Sequence, residues 1–276
     1  MTQHVERSAS GCAPALPARS VGNSLLQLID EADFARMAPW IERVPLPVGT
    51  VIARAGDPIE TVCFPEGGVT GFADVFGDDQ RFAVGLVGRE GFVGWPLLMG
   101  NRRWPHEVVA RAEDTTALKV DADRLLSALE ASPALRDLLL RFASTFMAQL
   151  SRTIASNLLH PVERRTARWI LLYHDRVRGD EIALTHEEMG LMLGVRRASI
   201  TDALHLLEGE SAIRGLRGRV LVRDRKLLEA LAGETYGHAE AEYERMIGPW
   251  PKWGFGHPNI DRQLGRIAGD RAAFDP

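Results

Sequence analysis

The stretch LTHEEMGLMLGVRRASITDAL, residues 184–204, predicts two short helices joined by a tight turn. Thr185 and Glu188 are spaced as a capping box, in which each side chain binds the backbone amide of the other residue and so starts a helix. That helix is predicted over His186–Leu193, and Gly194 suits the left-handed residue that ends it. A second helix follows directly. Two short helices joined by a glycine-containing turn form a helix-turn-helix.

The second helix is predicted to run from Arg197 to Glu208 and to have one polar face. Ile200, Leu204 and Leu207 recur on its apolar face. The polar positions lie three and four residues apart near the helix N-terminus, the part that meets base edges in the DNA major groove. We therefore predict base readout by Arg197, Ala198, Thr201, Asp202 and His205.

A basic hairpin is predicted directly after this helix. Two short strands begin at Ile213 and fold over Arg217-Gly218-Arg219, which is typical of a β-hairpin wing. Free N–H groups at a helix N-terminus and exposed guanidinium groups both suit phosphate oxygens. We predict phosphate contacts by Thr185, His186, Arg196, Arg217 and Arg219.

The charge pattern agrees with a nucleic-acid partner without requiring one. The chain has a net charge of −4, yet Ser211–Lys226 contains six basic residues and one acid. A basic cluster on an acidic protein is compatible with polyanion binding, and equally with a solvated surface loop. Charge alone leaves both interpretations open.

Upstream, residues 44–120 have the texture of an all-β domain. Short β-branched and aromatic runs alternate with turns rich in Gly, Pro and Asp, at the spacing of a sandwich or barrel. The predicted strands are Thr50–Ala53, Val62–Phe64, Thr70–Phe76, Arg81–Leu86, Val108–Ala110 and Ala117–Val120. A small barrel or jelly roll of this kind has room for an internal ligand.

A long helix is predicted between the two regions. Ser132-Pro133 is a strong helix start, and His160-Pro161 ends the helix. One apolar stripe follows its whole length and consists of Leu135, Leu139, Phe142, Phe146, Leu150 and Ile154, continued by Leu158. Either the chain's own barrel or a second copy in a dimer would cover this stripe. Its length and regularity favour the dimer.

Residues 184–204 resemble the winged helix-turn-helix of the cyclic-AMP receptor protein/fumarate-nitrate regulator (Crp/Fnr) superfamily of bacterial transcription factors. The order of barrel, long helix and winged helix also matches, and LPVGTVI (46–52), GDP (56–58) and GFVG (91–94) resemble parts of its barrel. The resemblance implies an α+β fold with an N-terminal cyclic-nucleotide-binding-type jelly roll, a dimerisation helix and a C-terminal winged helix-turn-helix. It further implies a homodimer that binds double-stranded DNA and regulates transcription.

On this basis the chain divides into five parts. We predict a disordered leader (1–22), a sensor barrel (23–131), a dimerisation helix (132–160), a winged helix-turn-helix domain (161–230) and a C-terminal extension (231–276). The sequence does not predict a role for the extension, nor whether the protein activates or represses.

The resemblance breaks where superfamily members that bind cyclic AMP hold the nucleotide. Those members place a Glu after the loop that residues 91–94 resemble, whereas Trp95 follows here; Pro105-His106 stand in place of their phosphate-binding Arg-Ser pair. A buried phosphodiester needs a paired cation, so we expect no cyclic AMP binding. The nearby arginines that could substitute after a register shift are Arg102, Arg103 and Arg111.

The candidate effector pocket consists of Phe92, Trp95, Pro105 and His106. Its aromatic surroundings suit an apolar effector, or they fill the core and no ligand binds.

The second helix of the helix-turn-helix, the recognition helix, also departs from the superfamily. Ala198 and Asp202 replace the superfamily's Glu and second Arg, so the DNA site should differ. The superfamily contact most readily carried over to this chain is that of Arg197 with guanine. Ser199 matches a Thr that contacts phosphate.

Other classes of protein are less well supported. Cys12 and Cys63 are the only cysteines, which excludes a disulfide scaffold and four-cysteine metal sites. A cupin-like barrel enzyme would need clustered metal ligands, and residues 44–120 contain one histidine, His106. We therefore predict no enzyme activity, no catalytic residue, no metal and no cofactor. A regulator that needs no ligand stays open.

The remaining expectations concern location and partners. The N-terminus lacks the apolar core of a signal peptide, and no apolar run is long enough for a membrane helix. We expect a cytoplasmic protein without a membrane partner. RNA polymerase is a further expected partner of a transcription regulator.

Overall fold

The computed structural model describes residues 20–77, 80–113 and 115–252. Most of the predicted disordered leader lies outside this part, but its last residues do not fit the prediction. Val21 is buried, and the Gly22 amide donates to Oε1 of Glu66 at 2.7 Å. The chain is therefore anchored to the barrel from Ser20 onward.

The first domain is built from two antiparallel sheets. Helix α1 (Glu31–Met37), between 3₁₀ turns at Leu26–Leu28 and Ala38–Trp40, precedes them. The strands are β1 (Glu42–Pro45), β2 (Val51–Ala53), β3 (Thr61–Gly67), β4 (Thr70–Phe76), β5 (Gln80–Val87), β6 (Glu107–Ala110) and β7 (Thr116–Asp121), with a 3₁₀ turn at Trp95–Met99. The sheet orders are β1-β7-β3 and β2-β6-β4-β5. The six predicted strands are present, and β1 is an additional one.

Two helices leave the barrel. Asp121 caps α2 (Ala122–Ala131) by accepting from the amides of Asp123 and Arg124. Ser132 caps α3 (Pro133–Leu159), because its Oγ accepts from the Leu135 amide at 3.1 Å and Pro133 occupies the first turn.

The C-terminal part is a three-stranded sheet surrounded by helices. Its elements are α4 (Val162–His174), β8 (Glu181–Ala183), α5 (His186–Leu193), α6 (Arg197–Gly209), β9 (Ile213–Leu216), β10 (Arg219–Val222), α7 (Arg225–Ala232) and α8 (His238–Met246). The strand order is β8-β10-β9, so the β9–β10 hairpin pairs with the short strand that precedes the helix-turn-helix. The predicted helix-turn-helix and wing are both present.

The first four residues of the predicted apolar stripe of α3 pack on the chain's own barrel, which corrects their predicted role in a dimer. Leu135, Leu139, Phe142 and Phe146 are each at most 2% exposed. The ring of Phe142 lies 5.6 Å from that of Phe92, and Phe146 lies 4.9 Å from Phe72. Leu150 is half-buried, whereas Ile154 and Leu158, at the end of the predicted stripe, are exposed. Aromatic rings on a barrel-facing stripe bury large apolar areas, which explains why the barrel takes this face.

The C-terminal extension packs on the folded core as far as it is described. Arg141 of α3 donates to the Met246 carbonyl at 3.2 Å, and the buried ring of Tyr243 lies edge-on to Trp250 at 5.0 Å. Residues 253–276 lie outside the described part. Within the described residues, no helix has the length and apolar character needed to cross a membrane.

The winged domain docks on the barrel through buried contacts. Arg176, after α4, pairs with Glu90 of the barrel at 2.8 Å, with both side chains almost fully buried. The Phe82 ring of β5 packs on Gly194 so closely that a Cβ there would lie 2.6 Å from it. Breaking the buried ion pair would cost about 3–5 kcal/mol of folding free energy. The two domains therefore share an interface.

Candidate nucleic-acid interface

The local geometry of the helix-turn-helix follows from its sequence. The Glu188 amide donates to Oγ1 of Thr185 at 3.2 Å, and the Thr185 amide donates to Oε2 of Glu188 at 2.8 Å, which completes the capping box. Gly194 ends α5 at φ +63°. Gly190 allows the turn to approach, because a Cβ there would lie 3.0 Å from the Val195 carbonyl oxygen.

The outer face of α6 is free and polar. Ile200, Leu204 and Leu207 are buried in the domain core. Four of the five predicted base-reading residues are exposed: Arg197, Ala198, Asp202 and His205. These side chains share one side of the first two turns, so they could enter a groove together.

Thr201, the fifth predicted base-reading residue, forms hydrogen bonds within the protein. Its side chain is half-buried, and its Oγ1 donates to the Arg197 carbonyl at 3.2 Å. Nδ1 of His186 lies 3.0 Å from Oγ1 of Thr201. Partial burial, together with the charges of Arg197 and His205, lowers the pKa of His186 below its usual value. The His186 ring therefore links α5 to α6 through Thr201, and its contact with phosphate stays a prediction.

The predicted phosphate-contacting residues divide into two groups. Thr185, Arg196 and Arg217 are exposed around the α6 face, whereas Ser199 is half-buried and its amide donates to the Arg196 carbonyl. The side chain of Arg219 is 40% exposed, and its Nη2 donates to both carboxylate oxygens of Glu113 in the barrel at 3.1 Å. Glu113 would compete with a phosphate for this guanidinium, and the phosphate contact of Arg219 stays a prediction.

The four residues of the predicted effector pocket lie in different surroundings in the structure. Phe92 stacks on Phe64 at 5.4 Å within the core, Pro105 is exposed, and only Trp95 and His106 lie near each other, with ring centroids 6.2 Å apart. His106 is also held by Asp74, whose Oδ1 lies 2.6 Å from its Nδ1. The four residues do not enclose one cavity.

The residues present do not fit a cyclic nucleotide between barrel and long helix. A Cβ on Gly91 would lie 2.1 Å from the Phe142 ring, so the helix is pressed against the loop that would face the nucleotide. Arg102 is exposed and pairs with Asp123, and Arg103 is exposed and donates to the Gly56 carbonyl. Neither arginine offers a buried cation for a phosphate. Within the described residues no three His, Cys, Asp or Glu side chains are grouped to hold a metal ion.

Sequence reasoning missed the docking of the winged domain on the barrel. Glu113 and Phe82 belong to the barrel, and their partners Arg219 and Gly194 lie more than a hundred residues away along the chain. No local periodicity signals such a contact.

Comparisons with known proteins agree with the order of the domains. A cyclic nucleotide-binding domain model matches residues 43–132, and a Crp-like helix-turn-helix domain model matches residues 164–231. No curated protein matches the chain.

Solved structures share the fold at low sequence identity. A Crp/Fnr-family regulator from Eubacterium rectale has a TM-score of 0.61 at 16% identity, with 76% of this chain and 98% of that chain covered. FixK2 from Bradyrhizobium japonicum has a TM-score of 0.60 at 17% identity, with 70% and 98% covered. The c-di-GMP-responsive global regulator CLP from Xanthomonas campestris has a TM-score of 0.58 at 18% identity, with 70% and 99% covered.

The two family models thus match the barrel and the winged helix-turn-helix in the order in which the structure has them. The long helix α3 connects these two domains. The chain belongs to the Crp/Fnr superfamily of DNA-binding transcription regulators.

Proposed function

We propose that the protein binds a specific, two-fold symmetric DNA site as a homodimer and that α6 reads the bases. One observation carries this proposal: on an acidic chain, the outer face of α6 is exposed, and so are Arg196 directly before the helix and Arg217 in the wing turn. A helix N-terminus with exposed polar side chains suits the major groove, and flanking cations suit phosphates.

The dimer is best supported through the face of α3 that points away from the barrel. Exposed positions recur there at alternating spacings of three and four residues, the spacing of a coiled-coil seam. They are Asp137, Leu140, Ser144, Met147, Ser151, Ile154 and Leu158. Ile154 is 62% exposed and Leu158 is 78% exposed. Apolar side chains this exposed on a regular seam favour a second copy of the same helix as their partner.

A two-fold dimer of this kind constrains the DNA site. The two recognition helices would enter successive major grooves, so the half-sites are expected about 10–10.5 bp apart, centre to centre, and in inverted orientation. Footprinting on genomic DNA tests this expectation. Protection of solitary half-sites by a monomer would contradict it.

Arg197 and Arg217 should differ in what they contribute to binding. Arg197→Ala removes a guanidinium that can donate two hydrogen bonds to one guanine, so it is expected to cost about 1–3 kcal/mol on the preferred site and to relax the preference at one base pair per half-site. Arg217→Ala is expected to weaken binding to all sequences and to reduce the salt slope by about one unit per lost phosphate contact.

Binding isotherms on the preferred site and on single-base variants, at several salt concentrations, separate the two effects. Arg223→Ala is a matched control, because Arg223 is an exposed arginine outside the α6 face and the wing turn. Equal weakening of every site by Arg197→Ala, with base preference intact, would mean that α6 does not read bases.

Cyclic AMP is not expected to bind this protein or to change its affinity for DNA. The aromatic rings of Phe92, Phe142 and Phe146 pack together between barrel and α3, and the nearby Arg102 and Arg103 are exposed. Calorimetry should show no heat of binding at micromolar nucleotide. A micromolar dissociation constant would show that the rings move aside. RNA polymerase as a partner stays a prediction.

A further inference from the structure

We propose that the cleft between the barrel and the winged domain binds a small organic anion with an apolar body, such as an aromatic carboxylic acid, and that the anion sits on Arg111. A cavity of about 400 Å³ lies in this cleft. Its apolar walls come from both domains and consist of Phe72, Ala83 and Leu86 of the barrel and Tyr173, Leu191 and Met192 of the winged domain. Small-molecule sites in proteins are typically about 300–1,000 Å³ and similarly lined.

Arg111 lacks a partner in this cavity. Among residues 20–77, 80–113 and 115–252, no group forms an ion pair with its guanidinium or accepts a hydrogen bond from it. The other charged groups of the wall are engaged: Arg81 pairs with Glu107 at 3.0 Å, and Glu188 belongs to the capping box. The wall therefore presents one uncommitted cation beside an apolar surface.

The position of Arg111 is set by the backbone beneath it. A Cβ on Gly71 would lie 2.9 Å from Cγ of Arg111, so the arginine lies across a glycine that leaves space for it. Arg111 and Tyr173 also line an adjoining cavity of about 430 Å³, which contains the Glu113–Arg219 pair. Arg111 thus stands between the apolar cavity and the contact that holds the wing.

The chemistry of the ligand follows from these walls. A partly desolvated guanidinium is stabilised by a carboxylate, sulfonate or phosphate through charge-assisted hydrogen bonds. Apolar walls add affinity only for a ligand that carries apolar surface. A bare inorganic anion satisfies the first requirement alone, and a neutral apolar molecule satisfies the second alone.

A ligand in this cleft would act on DNA binding, a consequence that rests on the proposed function. Because both domains supply the walls, the ligand binds only the docked arrangement, in which Arg219 is held by Glu113. Binding therefore favours the arrangement in which Glu113 competes with DNA phosphates for Arg219. Ligand and operator should lower each other's affinity by the same factor.

The test uses two fluorescent probes that differ in charge: 8-anilinonaphthalene-1-sulfonate, which is anionic, and N-phenyl-1-naphthylamine, which is neutral. The full chain should bind one anionic probe per protomer saturably. Arg111→Gln should raise its dissociation constant at least about tenfold, the loss expected for a charge-assisted hydrogen bond, and change that of the neutral probe less than about twofold. Arg54→Gln, at an exposed arginine outside the cavity, should change neither.

A second variant guards against a purely structural effect of Arg111. Ala83→Leu fills the cavity and should weaken both probes. The site is wrong if Arg111→Gln leaves the anionic probe unaffected, or if Ala83→Leu affects neither probe. Titration of the probe-loaded protein with operator DNA tests separately whether the ligand and the operator lower each other's affinity. If the probe binds but the operator does not change its affinity, the binding site is supported and its regulatory role is refuted. Failure of the unliganded protein to bind any operator would instead refute the proposed function.

Discussion

Replacing both Ile154 and Leu158 with aspartate is expected to leave a folded monomer that has lost tight operator binding. Both side chains are exposed on α3 and support no intramolecular core, so the fold of the protomer should survive. In a dimer the same positions would face their symmetry mates, where like charges directly repel. Because two linked half-site contacts give an avidity gain of about 10²–10⁴, we expect at least about a hundredfold loss of operator affinity.

Sedimentation velocity and binding isotherms on a palindromic site measure this expectation. Asn157→Asp is a matched control, because it adds a carboxylate to an exposed position of the same helix that lies off the seam. The control should stay dimeric and bind normally. A double variant that remains dimeric would show that another surface pairs the protomers.

The second large effect is expected at Phe142, on the opposite face of the same helix. Phe142→Ala removes a ring that is 2% exposed and packs on Phe92 and Phe146 at 5.6 and 6.3 Å. Cavities left by buried phenylalanines cost about 3–5 kcal/mol, a large share of the stability of an ordinary domain. The barrel should therefore unfold at much lower denaturant concentration.

Urea unfolding followed by tryptophan fluorescence measures this loss. Leu140→Ala, on the exposed face of the helix, should change the free energy of unfolding by less than about 1 kcal/mol. The opposite result would be that Phe142→Ala dissociates a stable dimer and Leu140→Ala unfolds the barrel. It would mean that the stripe containing Phe142 pairs the protomers, as the sequence alone predicted. The two residues thus test which face of α3 meets which partner.

Local signals in the sequence predicted most of the elements. Ser132-Pro133 start α3, the Thr185–Glu188 capping box starts α5, and Gly194 ends it, because these motifs act through backbone groups within one turn. Strand β1 was missed since Glu42–Pro45 is mostly exposed at a sheet edge and carries no alternating apolar pattern.

Only the tertiary structure decided what covers each surface. Apolar periodicity identifies a helix face that must be buried, but it is the same whether a barrel or a second copy buries it. In the structure the barrel covers the part of the α3 stripe from Leu135 to Phe146. The seam that includes Leu140, Met147 and Ile154 is exposed. Likewise, the sequence identified Arg219 as a residue of the wing and Arg111 as an arginine near the predicted effector pocket. Only the structure shows that Glu113 contacts Arg219 and that Arg111 lines a cavity between the domains. Both features join residues that are distant along the chain and lie close together only when the domains dock.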